Sequence, residues 1–92
     1  MTLSDLPVGT EIYYHGDMAN RDGFGKIVKH TAGQWVSPSV TIDMEDGRHI
    51  NLLPVCIFSE KYLGHGGTRF VTRAAYNRWY TERMAAYAAR SH

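Results

Sequence analysis

From the amino terminus to about residue 63 the chain runs as short apolar stretches cut by Gly, Pro, Asp and Asn. After residue 67 it turns Ala- and Arg-rich and contains neither Gly nor Pro. The sharpest local pattern lies in the first part. Val40, Ile42 and Met44 alternate with Thr41 and Asp43, the period of a strand with one buried face. Asp46-Gly47 follows, and its tolerance of positive φ turns the chain back into a second strand over 49–53. Residues 10–15 and 24–30, rich in β-branched and aromatic types, read as two earlier strands. A polar connection over 18–23 joins them, and Gly25 marks a bulge or a close backbone approach. Thr31 to Gln34 reads as a turn, with Trp35-Val36 a short apolar step beyond it. Pro54 lacks an N–H and ends the hairpin, and 55–58 reads as a short helical turn leading into a fifth strand. Five short strands at this spacing predict a closed small barrel over 1–63 rather than βαβ units.

The second part predicts one helix over 72–90. Thr72 stands as its N-cap, and Val71 and Tyr76 occupy the positions of a hydrophobic staple. Ala74, Ala75, Ala85, Ala86, Ala88 and Ala89 favour it intrinsically. Tyr76, Tyr80, Met84 and Tyr87 fall on one stripe, with Trp79, Arg83 and Ala86 beside it. Between barrel and helix, 64–71 reads as a Gly-rich linker, so the whole is one compact mainly β domain with a C-terminal helix.

Composition narrows the function. The chain has 92 residues, 43% hydrophobic and 21% charged, the balance of a small globular domain. No apolar run reaches the roughly 20 residues of a membrane span, and the first residues lack a signal peptide's basic and apolar blocks. Cys56, the one cysteine, excludes an internal disulfide and a multi-cysteine zinc site, and fits a reducing cytoplasmic setting. Net charge is +1, yet it divides unevenly. Residues 1–67 carry five basic against eight acidic groups, or −3, and residues 68–92 carry five arginines against Glu82, or +4.

The order of elements resembles a known fold. Gly9-x-x-Ile12-x-x-x-Gly16, a polar loop and Gly23-x-Gly25-x-Ile27-Val28 are similar to the opening of SH3-like barrels of the KOW type. Val40-x-Ile42, Asp46-Gly47, Ile50 to Val55 and Phe58 resemble the hairpin, short 3₁₀ turn and last strand of that fold, so the resemblance covers about 8–60. It implies a five-stranded barrel. Gly16, Gly25-x-Ile27-Val28 and Pro54-Val55-x-x-x-Phe58 also resemble plasmid-borne type II dihydrofolate reductases. That family's catalytic Val-Gln-Ile-Tyr run falls on Ile50, Asn51, Leu52 and Leu53 here, without the glutamine or the tyrosine. The likeness therefore implies shared fold and not shared chemistry.

Two binding readings remain, neither enzymatic nor cofactor-dependent. In the first, Tyr14, Trp35, Arg73, Arg78 and Arg83 contact DNA or RNA, guanidiniums on phosphates and aromatics against bases. In the second, Tyr76, Tyr80, Met84 and Tyr87 meet a protein partner or a second copy, and the arginines keep the helix soluble. Tyr13 and Phe24 belong with Tyr14 and Trp35 as aromatics that such a barrel exposes. A small-barrel oxidoreductase is the least favoured reading. Asp17, Asn20 and Asp22 read as turn residues, since they lack EF-hand spacing, and the five histidines form no metal-ligand pair.

Overall fold

A computed structural model of the chain describes residues 2–16, 20–61, 63 and 68–90. Five antiparallel strands form one sheet: β1 (Glu11–Tyr14), β2 (Gly23–Thr31), β3 (Ser39–Met44), β4 (His49–Pro54) and β5 (Phe70–Thr72), in spatial order β4-β3-β2-β1-β5. A helix, α1 (Arg73–Arg90), follows β5 directly.

Alternation explains the core. Val40, Ile42 and Met44 of β3 turn inward, as their spacing predicts, with Ile12 and Tyr14 of β1, Ile27 of β2, Leu53 of β4 and Phe70 of β5. Leu6, held between a 3₁₀ turn at Leu3–Asp5 and the hydrogen bond its carbonyl accepts from His30 Nε2 at 2.6 Å, joins this core. The β3–β4 hairpin forms where Asp46-Gly47 predicts it. At the turn Gly47 takes a left-handed φ, +93°, and Asp46 Oδ1 accepts from the Arg48 backbone N–H at 3.1 Å. Gly25 proves to be a close-approach site. A Cβ there would stand 2.7 Å from Ile42 Cγ2 and 2.9 Å from the Asp43 carbonyl, while the ladder's irregularity lies at Ile27/Lys29.

Two expectations are corrected. The fifth strand is not reached at Phe58. After a 3₁₀ turn at Val55–Ile57, Phe58 makes one parallel bridge to Phe70, and Ser59 N–H donates to the Phe70 carbonyl at 3.1 Å. The strand itself is Phe70–Thr72, on β1, within a stretch read from sequence as linker and helix cap. Phe70 and Val71 are fully buried there, which a linker would not allow. Because β4 and β5 remain the two edges, the sheet is not closed into a full barrel. The Gly-rich residues 64–67 lie outside the described residues, as does Asp17.

The helix begins as its sequence predicts: Ala75 N–H donates to Thr72 Oγ1 at 3.2 Å. Its first two turns lie on the sheet and its remainder leaves it. Ala75 is buried, Tyr76 and Trp79 are half-buried, and every residue from Tyr80 to Arg90 is exposed. Eleven residues at 1.5 Å make an arm of about 16 Å, consistent with overall extents of 55 × 24 × 21 Å.

Candidate binding surface on the projecting helix

The root of the helix is an aromatic joint. Alternation turns Tyr13 to the face of β1 opposite Tyr14, and β2 places Phe24 beside it, their ring centroids 5.3 Å apart. Tyr76 stacks on Tyr13 at 4.1 Å and meets Phe24 edge-on at 5.3 Å. Arg73 completes the joint. Its guanidinium lies 4.3 Å over the Phe24 ring, bonds Glu45 Oε1 at 2.8 Å and approaches Glu11 Oε2 at 3.8 Å. Below, Tyr13 donates its hydroxyl proton to Asp22 Oδ2 at 2.8 Å. Burial, with that carboxylate behind it, pushes the phenol above its ordinary range. His15 lies edge-on against Tyr13 at 5.0 Å.

This arrangement reassigns several residues singled out from sequence. Tyr14 is 1% exposed and belongs to the core, because alternation sends Ile12 and Tyr14 to the same side. It therefore cannot stack on a base. Arg73 is held by two carboxylates and a ring, so it clamps the helix to the sheet. Tyr13 and Phe24 are covered by Tyr76 and do not form an open aromatic face with Trp35. Trp35, 89% exposed, stands alone of that set on the β2–β3 loop. Of the reductase-like run, Ile50 is half-buried, Asn51 exposed and Leu53 buried, while Leu52 is exposed with a left-handed φ of +55°.

Beyond the root, the arm presents a mixed surface. At 3.6 residues per turn, Tyr80, Arg83, Tyr87 and Arg90 fall within about 80° of one another, on the face that continues from Tyr76. Met84 flanks them, and Arg83, Met84, Ala86, Tyr87 and Arg90 line a shallow recess of ≈ 290 Å³. Tyr80 is 48% exposed and Tyr87 69%. The Arg83 guanidinium rests 5.4 Å over Trp79, which braces its stem. Arg78 points away from this face and stands 3.9 Å from Glu60 in an exposed pair of little strength. Arg90 was not among the sequence candidates; its place on the aromatic face was available from helical spacing alone.

The rest of the surface offers less chemistry. Cys56 is exposed beside Leu3, Pro38 and Val55 in an open apolar groove. His49 pairs with Asp43 at 2.5 Å on the open surface. Among the described residues no three His, Cys, Asp or Glu side chains gather as metal ligands, and no helix is long and apolar enough to cross a membrane. Comparison with protein-family models, with curated proteins and with solved structures finds no match to this chain.

Proposed function

We propose that the chain is a non-enzymatic binding module that holds nucleic acid along its projecting helix, with Arg83 and Arg90 on phosphates and Tyr80 and Tyr87 stacking on bases. The observation that carries this reading is the interleaving of two arginines with two exposed tyrosines on one helical face, clear of the body. A polyanion meets opposite charge there and net negative charge on residues 1–67, so the arm is the favoured approach. Arg78, on the opposite side of the helix beside Glu60, is left out of this interface, and Tyr14 and Arg73 have structural roles instead.

Fluorescence anisotropy with labelled single-stranded DNA, duplex DNA and RNA tests this directly. Two arginine–phosphate contacts give a log–log salt slope of about −1.8, or about 12-fold weaker binding between 50 and 200 mM salt. Arg83→Ala with Arg90→Ala removes both, and the salt dependence disappears with them. No binding to any of the three at low salt refutes the reading.

A second reading rests on the spacing of Tyr80, Met84 and Tyr87, at i, i+4 and i+7, all exposed. These are the anchor positions of a helix laid into an apolar groove of a protein partner or a second copy. It requires concentration-dependent mass or a captured protein, abolished by Tyr80→Ala and insensitive to salt.

A further inference from the structure

His15 holds a buried titratable atom that the binding surface does not use. Its Nε2 is shielded from solvent and has no hydrogen-bond partner among the described residues. The residue itself is fixed: its backbone N–H donates to the Arg69 carbonyl at 2.9 Å, tying the end of β1 to the approach of β5. Its ring meets the edge of Tyr13, and Tyr13 is the ring on which Tyr76 stacks. Two aromatic contacts thus run in series from His15 to the helix.

The charged surroundings are divided. On the β1–β2 connection, Asp22 attracts a proton to His15, and its Oδ2 already accepts the Tyr13 hydroxyl. Ahead of β5, Arg69 repels one. From β2 the neighbour of Tyr13 is the uncharged Phe24, and from α1 it is Tyr76. With its proton on Nδ1, the neutral imidazole leaves Nε2 as a bare acceptor shielded from water, which is tolerable. The cation places an N–H donor there with nothing to receive it, a far costlier state. Relief comes from Asp22, the carboxylate already shared with the Tyr13 hydroxyl, and an imidazolium that draws on it weakens that hydroxyl's bond.

We propose that His15 is a pH-sensitive latch beneath the helix root: protonation at Nε2 draws on Asp22, weakens its bond to Tyr13 and loosens the Tyr13–Tyr76 stack, so that the arm changes its attitude to the sheet. Burial lowers the imidazole below its ordinary value of 6.5, with Arg69 adding to this and Asp22 opposing it, so the latch opens on the acid side of 6.5. The device goes beyond the binding reading and holds whatever the arm contacts.

Two measurements on the full chain test it. First, the imidazole nitrogens of ¹⁵N-labelled protein are followed by NMR from pH 8 to 5, together with the ring protons of Tyr13 and Tyr76. The expected result is one midpoint below 6.5 shared by His15 and both tyrosines. A His15 midpoint at or above 6.5, or tyrosine signals that do not move with it, overturns the proposal. Second, Ala88→Cys and the native Cys56 carry a fluorophore pair, and energy transfer across the arm is recorded against pH. The expected result is a transfer change at the same midpoint, absent in a His15→Gln background. A change that persists in His15→Gln assigns the response to another group and sinks the latch. If His15→Gln does not fold, Asp22→Asn serves in its place: it removes the carboxylate that attracts the proton and must move the midpoint to lower pH. An unmoved midpoint refutes the role of Asp22.

Discussion

Replacing Tyr76 with alanine removes the ring that joins helix to sheet. Two of its contacts cross between elements, the stack on Tyr13 at 4.1 Å and the edge contact with Phe24 at 5.3 Å. Such ring pairs are worth about 0.5–1.5 kcal/mol each beyond their area, so together about 1–3 kcal/mol. The side chain is half-buried, and its lost apolar contact adds about 1–2 kcal/mol at 25 cal/mol per Å². The expected loss is therefore about 3 kcal/mol, a large part of the roughly 5–14 kcal/mol available to a domain this size. The midpoint of thermal unfolding then falls by about 12–24 °C. Tyr87→Ala, on the same helical face but beyond the sheet, changes stability by less than about 0.5 kcal/mol. Urea unfolding followed by far-UV and near-UV circular dichroism measures both. Near-equal losses in the two variants would show that the root is not where the helix is held, and the joint described above would be wrong.

Other expectations follow from the same geometry. Gly25→Ala forces a methyl against Ile42 Cγ2 and the Asp43 carbonyl, and because a ladder carbonyl cannot retreat, unfolding free energy should fall by about 2–3 kcal/mol. Gly33→Ala, with open space around it, should leave stability unchanged or raise it by up to about 1 kcal/mol, and equal behaviour of the two glycines would contradict the packing of β2 on β3. For His15, the folded imidazole lies below the unfolded value of 6.5, so its contribution to stability is complete above 6.5 and is lost as pH falls beneath it. The melting temperature should therefore decline from pH 7 to 5.5 more steeply in the native protein than in His15→Gln, and parallel curves would refute this. Trp35→Ala removes a side chain that is 89% exposed and should leave the urea midpoint within error; a marked drop would mean that the tryptophan is packed.

How far the sequence spoke depended on the length of each signal. The β3–β4 hairpin was legible because three alternating apolar residues and Asp46-Gly47 agree, and the helix because Thr72, the alanines and the tyrosine stripe agree. β5 was not, since three residues are too few to show a period of two, and Phe70-Val71-Thr72 abut the helix whose cap they end in. The exposed or buried sense of Tyr13 and Tyr14 was equally hidden. Alternation separates the two, but which one faces the core depends on the register with Gly25 and Gly23 across the ladder. Arg73 misled for a related reason. Its charge is visible in the sequence, whereas Glu45 and Glu11, 28 and 62 positions earlier in the chain, are brought to it only by the fold.

The arm owes its helical form to the joint at its root. An isolated segment of about eleven residues is marginal as a helix in water even when Ala-rich, because the first turn fixes several residues for a single bond. Here that first turn is already made. The Thr72 hydroxyl caps it, Ala75 is buried under it, Arg73 clamps it to β1 and the β3–β4 turn, and Tyr76 stacks it on β1. From Tyr80 onward each residue need only extend an existing helix, and the alanines do so at little cost. Loosening the root therefore acts on the arm twice: it changes the arm's direction, and it removes the template that keeps Tyr80, Arg83, Tyr87 and Arg90 on one face. If the arm binds nucleic acid as proposed, a change at His15, Tyr13 or Tyr76 should then weaken that binding through the order of the helix rather than through any lost contact.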